Sequence, residues 1–364
     1  MPPLSTDSTT RYAELDGLRF LASLAVVLLH FTYSMPRVAH IGPDFPLLGS
    51  IFRYGYLGVN LFFMISGFVV LRSARRKSLP QFIIGRIARL YPVYWLSCGL
   101  TFLGLYFSGS QVAGPVSWRQ LLFNLTMLHE FFGQPSLNGV YWSLTYELTF
   151  CFLVALLIGC RLWHLLFPII LGWLAYTLVA GPLPVSHLFS YVFIPKHSAY
   201  FLAGMLFYVL QTRQHSVWQV YAALCLALAL ALRSDRAERQ WAQQLYHDAP
   251  LNAWVAAGLI GLFFLAFYLI FGAQWRLPAQ PVWSWLGRLT YPLYLLHGLG
   301  AVLLGPLNGK VNSYLLLGAA LIIVLLVAWA AHVFVEQPLG RRLGQGLTHW
   351  QARRKAAARL PVQV

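Results

Sequence analysis

An arginine and a histidine with ten residues between them, Arg19 and His30, sit in the apolar stretch 12–31, YAELDGLRFLASLAVVLLHF. If this stretch is helical, eleven steps of 100° turn through about 1100°, which leaves both side chains within roughly 20° of one face and about 16 Å apart along the axis. A cation near one end of a helix and an imidazole deep inside it suit a ligand that is anionic at one end and reactive at the other. A buried histidine alone reads as a satisfied core residue. What singles out His30 is a second ionisable group, Glu147 in YWSLTYELTF, whose expected depth is nearly the same. A carboxylate beside an imidazole holds its tautomer and stabilises the imidazolium, which is what a general base needs; the alternative for Glu147 is a packing glutamate bonded to a hydroxyl.

A second cationic group lies in LRSARRKSLPQFIIGRIARLYPVYW. Arg72, Arg75, Arg76 and Lys77 read as topology anchors, whereas Arg86 and Arg89, three apart at the start of an apolar run, share one face and suit phosphate oxygens. With Arg19 they are expected to form one anion site. Asn60 and Ser66 in YGYLGVNLFFMISGFVV are candidate cavity-lining residues, as are Trp142, Ser143, Arg288 and His297; the glycines of that segment read as close helix packing. The four cysteines show no metal-ligand spacing, and no metal is implied.

Of the 364 residues, 59% are hydrophobic and 10% charged, with a mean hydropathy of +0.63. Such a chain is a polytopic membrane protein rather than a soluble domain. The net charge of +16 is therefore assigned to anchors facing anionic lipid and not to nucleic acid. Runs long enough to span lie at 15–35, 54–71, 86–107, 140–159, 163–181, 195–211, 217–232, 252–272, 289–305 and 313–335. The expected fold is an all-α integral membrane bundle of about ten transmembrane helices. With the N-terminus inside, internal segments hold seventeen Lys and Arg and external ones eight, which puts both termini in the cytoplasm. The expected division is a cytoplasmic tail 1–11, a membrane domain 12–340 and a basic cytoplasmic tail 341–364; the first apolar run reads as a retained span and not a signal peptide. The gaps 108–139 and 233–251 are expected to be outward loops.

Taken in order, these segments resemble acyltransferase family 3, the integral membrane acyltransferases. The family's opening Arg, ten residues and His is matched by Arg19 and His30 in LDGLRFLASLAVVLLH. Its Gly-Val-x-x-Phe-Phe-x-x-Ser-Gly-Phe run is matched by GVNLFFMISGF, its Arg-x-x-Arg before a proline and aromatics by RIARLYPVYW, and its Trp-Ser-Leu-x-x-Glu by WSLTYE; YPLYLLH and the closing VEQP also look like the family. The chain departs from it at Asn60, where members often carry an acid, and in having no appended hydrolase-like domain.

The resemblance implies O-acylation, as in polysaccharide O-acetylation, with cytoplasmic acyl-CoA, by default acetyl-CoA, as co-substrate and no permanently bound cofactor. Arg19, Arg86 and Arg89 would bind the acyl-CoA phosphates. His30, supported by Glu147, would be catalytic, deprotonating a hydroxyl of an envelope saccharide or lipid-linked glycan. The implied setting is a multi-pass protein of a bacterial inner (plasma) membrane, with the lipid bilayer, acyl-CoA and the saccharide as partners and a homodimer as a candidate assembly. The competing reading is a transporter or flippase of an anionic or glycan substrate, since midplane charges suit that as well.

Overall fold

The computed structural model describes residues 12–108, 116–181, 187–247, 250–278 and 280–357. The expected tail 1–11, the loop residues Gly109, Gly114 and Pro115, Asp248 and Arg359 lie outside the described residues. Among the described residues every regular element is helical, and nine helices are long and apolar enough to cross a membrane. The protein is an all-helical integral membrane bundle.

The chain begins with α1 (Ala13–Leu29), whose acidic first turn, Glu14 and Asp16, complements the helix dipole. It continues without interruption into a π-helical segment, His30–Ala39. Next come α2 (Pro46–Phe52), which starts on proline, the buried α3 (Leu57–Ala74) and the long α4 (Leu79–Ser108). The expected loop 108–139 contains α5 (Trp118–Leu125), capped by the Ser117 hydroxyl, and a 3-10 turn, His129–Phe132. Further crossings are α6 (Trp142–Gly159), α7 (Leu166–Ala180) and the pair α8 (His187–Phe193) and α9 (Ser198–Thr212). Then follow α10 (Val217–Tyr246) and α11 (Ala253–Phe271), capped by Asn252.

Two expected boundaries need correction. The span placed at 217–232 does not end in a loop, because α10 runs on to Tyr246; its polar end is held by contacts to α3 rather than by apolarity. The span placed at 289–305 starts earlier, with α12 (Pro281–Leu296), and breaks at a 3-10 turn, His297–Gly300, before α13 (Ala301–Leu304). This segment is not among the nine. Finally α14 (Ser313–Ala331) passes through a π-helical turn, His332–Glu336, into α15 (Gln337–Ala357), so helix replaces much of the expected tail.

With 281–304 included the crossings number ten, an even count. Tyr12, the first described residue, and Arg341 on α15 line one cavity, so both ends of the described chain meet at one face, the one that the cation bias assigns to the cytoplasm.

The central packing is α3 between α1 and α9. Gly67 of α3 lies against the Phe201 carbonyl, and Gly204 of α9 against the Met64 carbonyl. Neither site has room for a side-chain carbon, and this lets the two backbones touch. On its other side α1 packs along α12, where the Ser23 hydroxyl donates to the Thr290 carbonyl at 3.2 Å. Large apolar side chains such as Phe107 and Trp254, 80% and 86% exposed, form the lipid-facing surface, as expected where every backbone group is satisfied within helices.

Candidate active site

At the face shared by Tyr12 and Arg341 the helices enclose a cavity of about 760 Å³. Seven cations line it, Arg19, Arg72, Arg76, Lys77, Arg89, Arg288 and Arg341, against two acids, Asp16 and Glu336. They come from α1, α3, α4, α12, α15 and the turn after α3, so no single segment builds the site. Val69, Arg72, Ser73 and Arg76 supply a stripe at i, i+3, i+4 and i+7. That periodicity was the available signal that these arginines do more than anchor. Lys77 donates to Ser73 Oγ at 3.1 Å, and burial, followed by the nearby Arg86 cation, lowers its pKa below the ordinary lysine value.

The far wall is the π-helical turn carrying VEQP. Gln337 Nε2 lies 2.9 Å from His332 Nε2 and Glu336 Oε2 lies 2.7 Å from His332 Nδ1. An amide nitrogen only donates, so His332 accepts at Nε2 and donates from Nδ1 to the carboxylate.

Arg19 and Arg89 line this cavity as expected, but Arg86 does not. Its guanidinium lies over the Phe82 ring at 5.7 Å and reaches Ser73 Oγ at 3.5 Å. It therefore stands behind the wall and touches the cavity through Ser73.

His30 begins the π-helical segment that follows α1. π-Helical insertions commonly mark functional positions. Its ring faces His297, with centroids 5.0 Å apart and planes at 40°. His297 opens the 3-10 turn after α12 and is 2% exposed; its Nδ1 lies 2.8 Å from the Tyr294 carbonyl oxygen. Gly300 of that turn lies under the Phe31 ring, which locks the two irregular turns in register. The Tyr294 hydroxyl donates to the Val140 carbonyl at 3.1 Å and pairs with Ser143 Oγ at 2.7 Å, so Ser143 braces α12.

Among the described residues no hydrogen bond or ion pair joins Glu147 to His30. The partner of Glu147 is Ser66, whose hydroxyl donates to it at 3.5 Å, and its carboxylate interacts electrostatically with Arg19. The expected pairing rested on depths counted from span ends. The actual level of α6 is set by Ser143 against Tyr294, and Glu147, one turn further along the same face, stands about 6 Å deeper along the helix. It thus lies between the cation cavity and the histidine pair.

Asn60 and Trp142 belong to neither region. Asn60 Nδ2 donates to Glu238 Oε2 at 3.0 Å, and Trp142 packs on the His197 ring with centroids 5.3 Å apart. This outer cluster includes Tyr56 donating to Asp235 at 2.7 Å, Arg239 paired with Asp235 at 2.6 Å and His197 Nδ1 3.3 Å from Glu238. Asp235 and Glu238 fall in the expected loop 233–251, and they lie instead on the helical extension of α10, which carries no apolar signal.

Residues 12–333 match the family model described as an acyltransferase domain. The chain is 27% identical to a putative acetyltransferase, ORF330, of Acidianus two-tailed virus over 79% of this chain and 83% of that protein. It is 26% identical to the exopolysaccharide production protein ExoZ of Rhizobium meliloti (strain 1021) over 81% of this chain and 92% of that one. To the peptidoglycan O-acetyltransferase OatA of Listeria monocytogenes the identity is 27% over 48% of this chain and 31% of that one. No solved structure matches.

Proposed function

The chain belongs to this acyltransferase family and is an enzyme that transfers acyl groups, and we propose that it moves an acetyl group from cytoplasmic acetyl-CoA to a hydroxyl of an envelope saccharide or lipid-linked glycan. The observation that carries the donor assignment is a single helix, α1, with Arg19 in a seven-cation cavity at its inner end and His30 eleven residues further on. A polyphosphate fits such a receptor, since guanidinium groups bind phosphate oxygens in pairs and are weakly hydrated. A pantetheine arm rising along α1 past Glu147 would bring the thioester to His30. His30 then takes the proton of the acceptor hydroxyl, the oxygen attacks the thioester carbonyl carbon, and the thiolate leaves with that proton returned from His30. The names of ExoZ and OatA, which tie those proteins to exopolysaccharide and to peptidoglycan, support a saccharide acceptor.

The test is incubation of purified protein in nanodiscs with radiolabelled acetyl-CoA and membrane glycans. Label should enter the glycan with wild type and not with His30→Ala. A folded His30→Ala protein with full transfer would remove the mechanism, and a glycan moved across the bilayer without added mass would replace the enzyme by a transporter.

A further inference from the structure

Resting on His30 as the general base, we propose that His297 is a positioning residue that fixes the tautomer of His30, the part that a carboxylate would otherwise take. The Tyr294 carbonyl can only accept, so the 2.8 Å contact places the His297 proton on Nδ1 and leaves Nε2 bare in the neutral ring. The accepting residue is itself held, because the Tyr294 hydroxyl is tied to Val140 and Ser143. His30 sets its ring against His297, 5.0 Å away between centroids; the Tyr294 and Phe31 rings lie further off, at 6.3 and 6.4 Å, and the Tyr294 hydroxyl is already committed to Val140 and Ser143.

Among the described residues no hydrogen bond joins the two rings, and His297 acts on His30 through the lone pair of a neighbouring ring: a bare Nε2 favours the His30 tautomer whose N–H is turned towards His297, and this leaves the other His30 nitrogen bare for the acceptor hydroxyl. When His30 takes the hydroxyl proton, the new imidazolium keeps its N–H directed at the His297 lone pair. When the thiolate recovers that proton both rings are neutral again, so the pair begins and ends each turnover uncharged. A neutral partner suits this depth, where an ionised carboxylate without a cation would be costly.

The experiment uses the full chain in nanodiscs with ¹⁵N-labelled histidine, His30→Gln to assign the His30 signals, and the variants His297→Phe and His297→Gln. Wild type should show one His30 tautomer and His297→Phe a mixture. His297→Phe should also lower kcat for acetyl transfer roughly ten- to hundred-fold, the range of outer-shell orienting groups, with KM for acetyl-CoA unchanged. His297→Gln, which keeps a donor for Tyr294 and an acceptor for His30, should recover part of both. A His30 tautomer unchanged in both variants, or wild-type kcat in both, overturns the proposal. Loss of donor binding together with turnover in both also overturns it and makes His297 a packing residue. If wild type transfers nothing from acetyl-CoA, the donor reading fails, and the tautomer measurement still decides the pair.

Discussion

Asn60 donates its side-chain amide to the Glu238 carboxylate at 3.0 Å, joining the buried core of α3 to the polar end of α10. Asn60 is 1% exposed, and the type of side chain at this position has a physical reason. Glu238 already supplies the carboxylate from another helix, and only a donor can face it.

Asn60→Asp would set two carboxylates against each other in a buried site. The variant should lose about 1–3 kcal/mol of stability, the cost of an unsatisfied buried polar group or more. Thermal unfolding in detergent measures it, and adding Glu238→Gln should restore part of the loss in a double-mutant cycle.

The cavity assigns unequal weights to the arginines expected to bind the donor. Arg89→Ala and Arg19→Gln each remove a cation from the lining and should weaken acetyl-CoA binding roughly tenfold or more, the worth of one charged hydrogen bond. Arg86→Ala, which reaches the cavity through Ser73 and through its charge near Lys77, should cost less. Equilibrium binding of labelled acetyl-CoA ranks the three.

Lys77 gives the cavity a pH dependence. Burial and Arg86 lower its pKa from the ordinary lysine value, so it gives up its proton as pH rises earlier than an unperturbed lysine would. Anion binding needs the charged form. Donor affinity should therefore fall as pH rises, starting at a lower pH than an ordinary lysine would give, and Lys77→Arg should flatten the profile in titrations of the dissociation constant against pH.

The contact of α3 with α9 depends on two glycines. Gly67→Ala or Gly204→Ala places a carbon against a backbone carbonyl, and backbone yields less readily than a side chain. Each should cost about 1–3 kcal/mol, as overpacking does. Gly99→Ala, with nothing within 4 Å, should be neutral or slightly stabilising. Melting curves of the three in one detergent make the comparison.

The sequence by itself determined the helical membrane class and the order of segments that mark the acyltransferase family. These are properties of single helices, set by local periodicity and by the cost of exposing a backbone to lipid. Only the tertiary structure decided which groups meet. The level of α6 follows from Ser143 against Tyr294, so Glu147 falls short of His30 and His297 takes the place beside it. Arg72, Arg76, Lys77 and Arg341 line one cavity because α3 with the turn after it, the α12 wall and α15 converge on Arg19. The depth and rotation of one helix against another are fixed by side chains that interlock at their contact, and no helix carries that information alone.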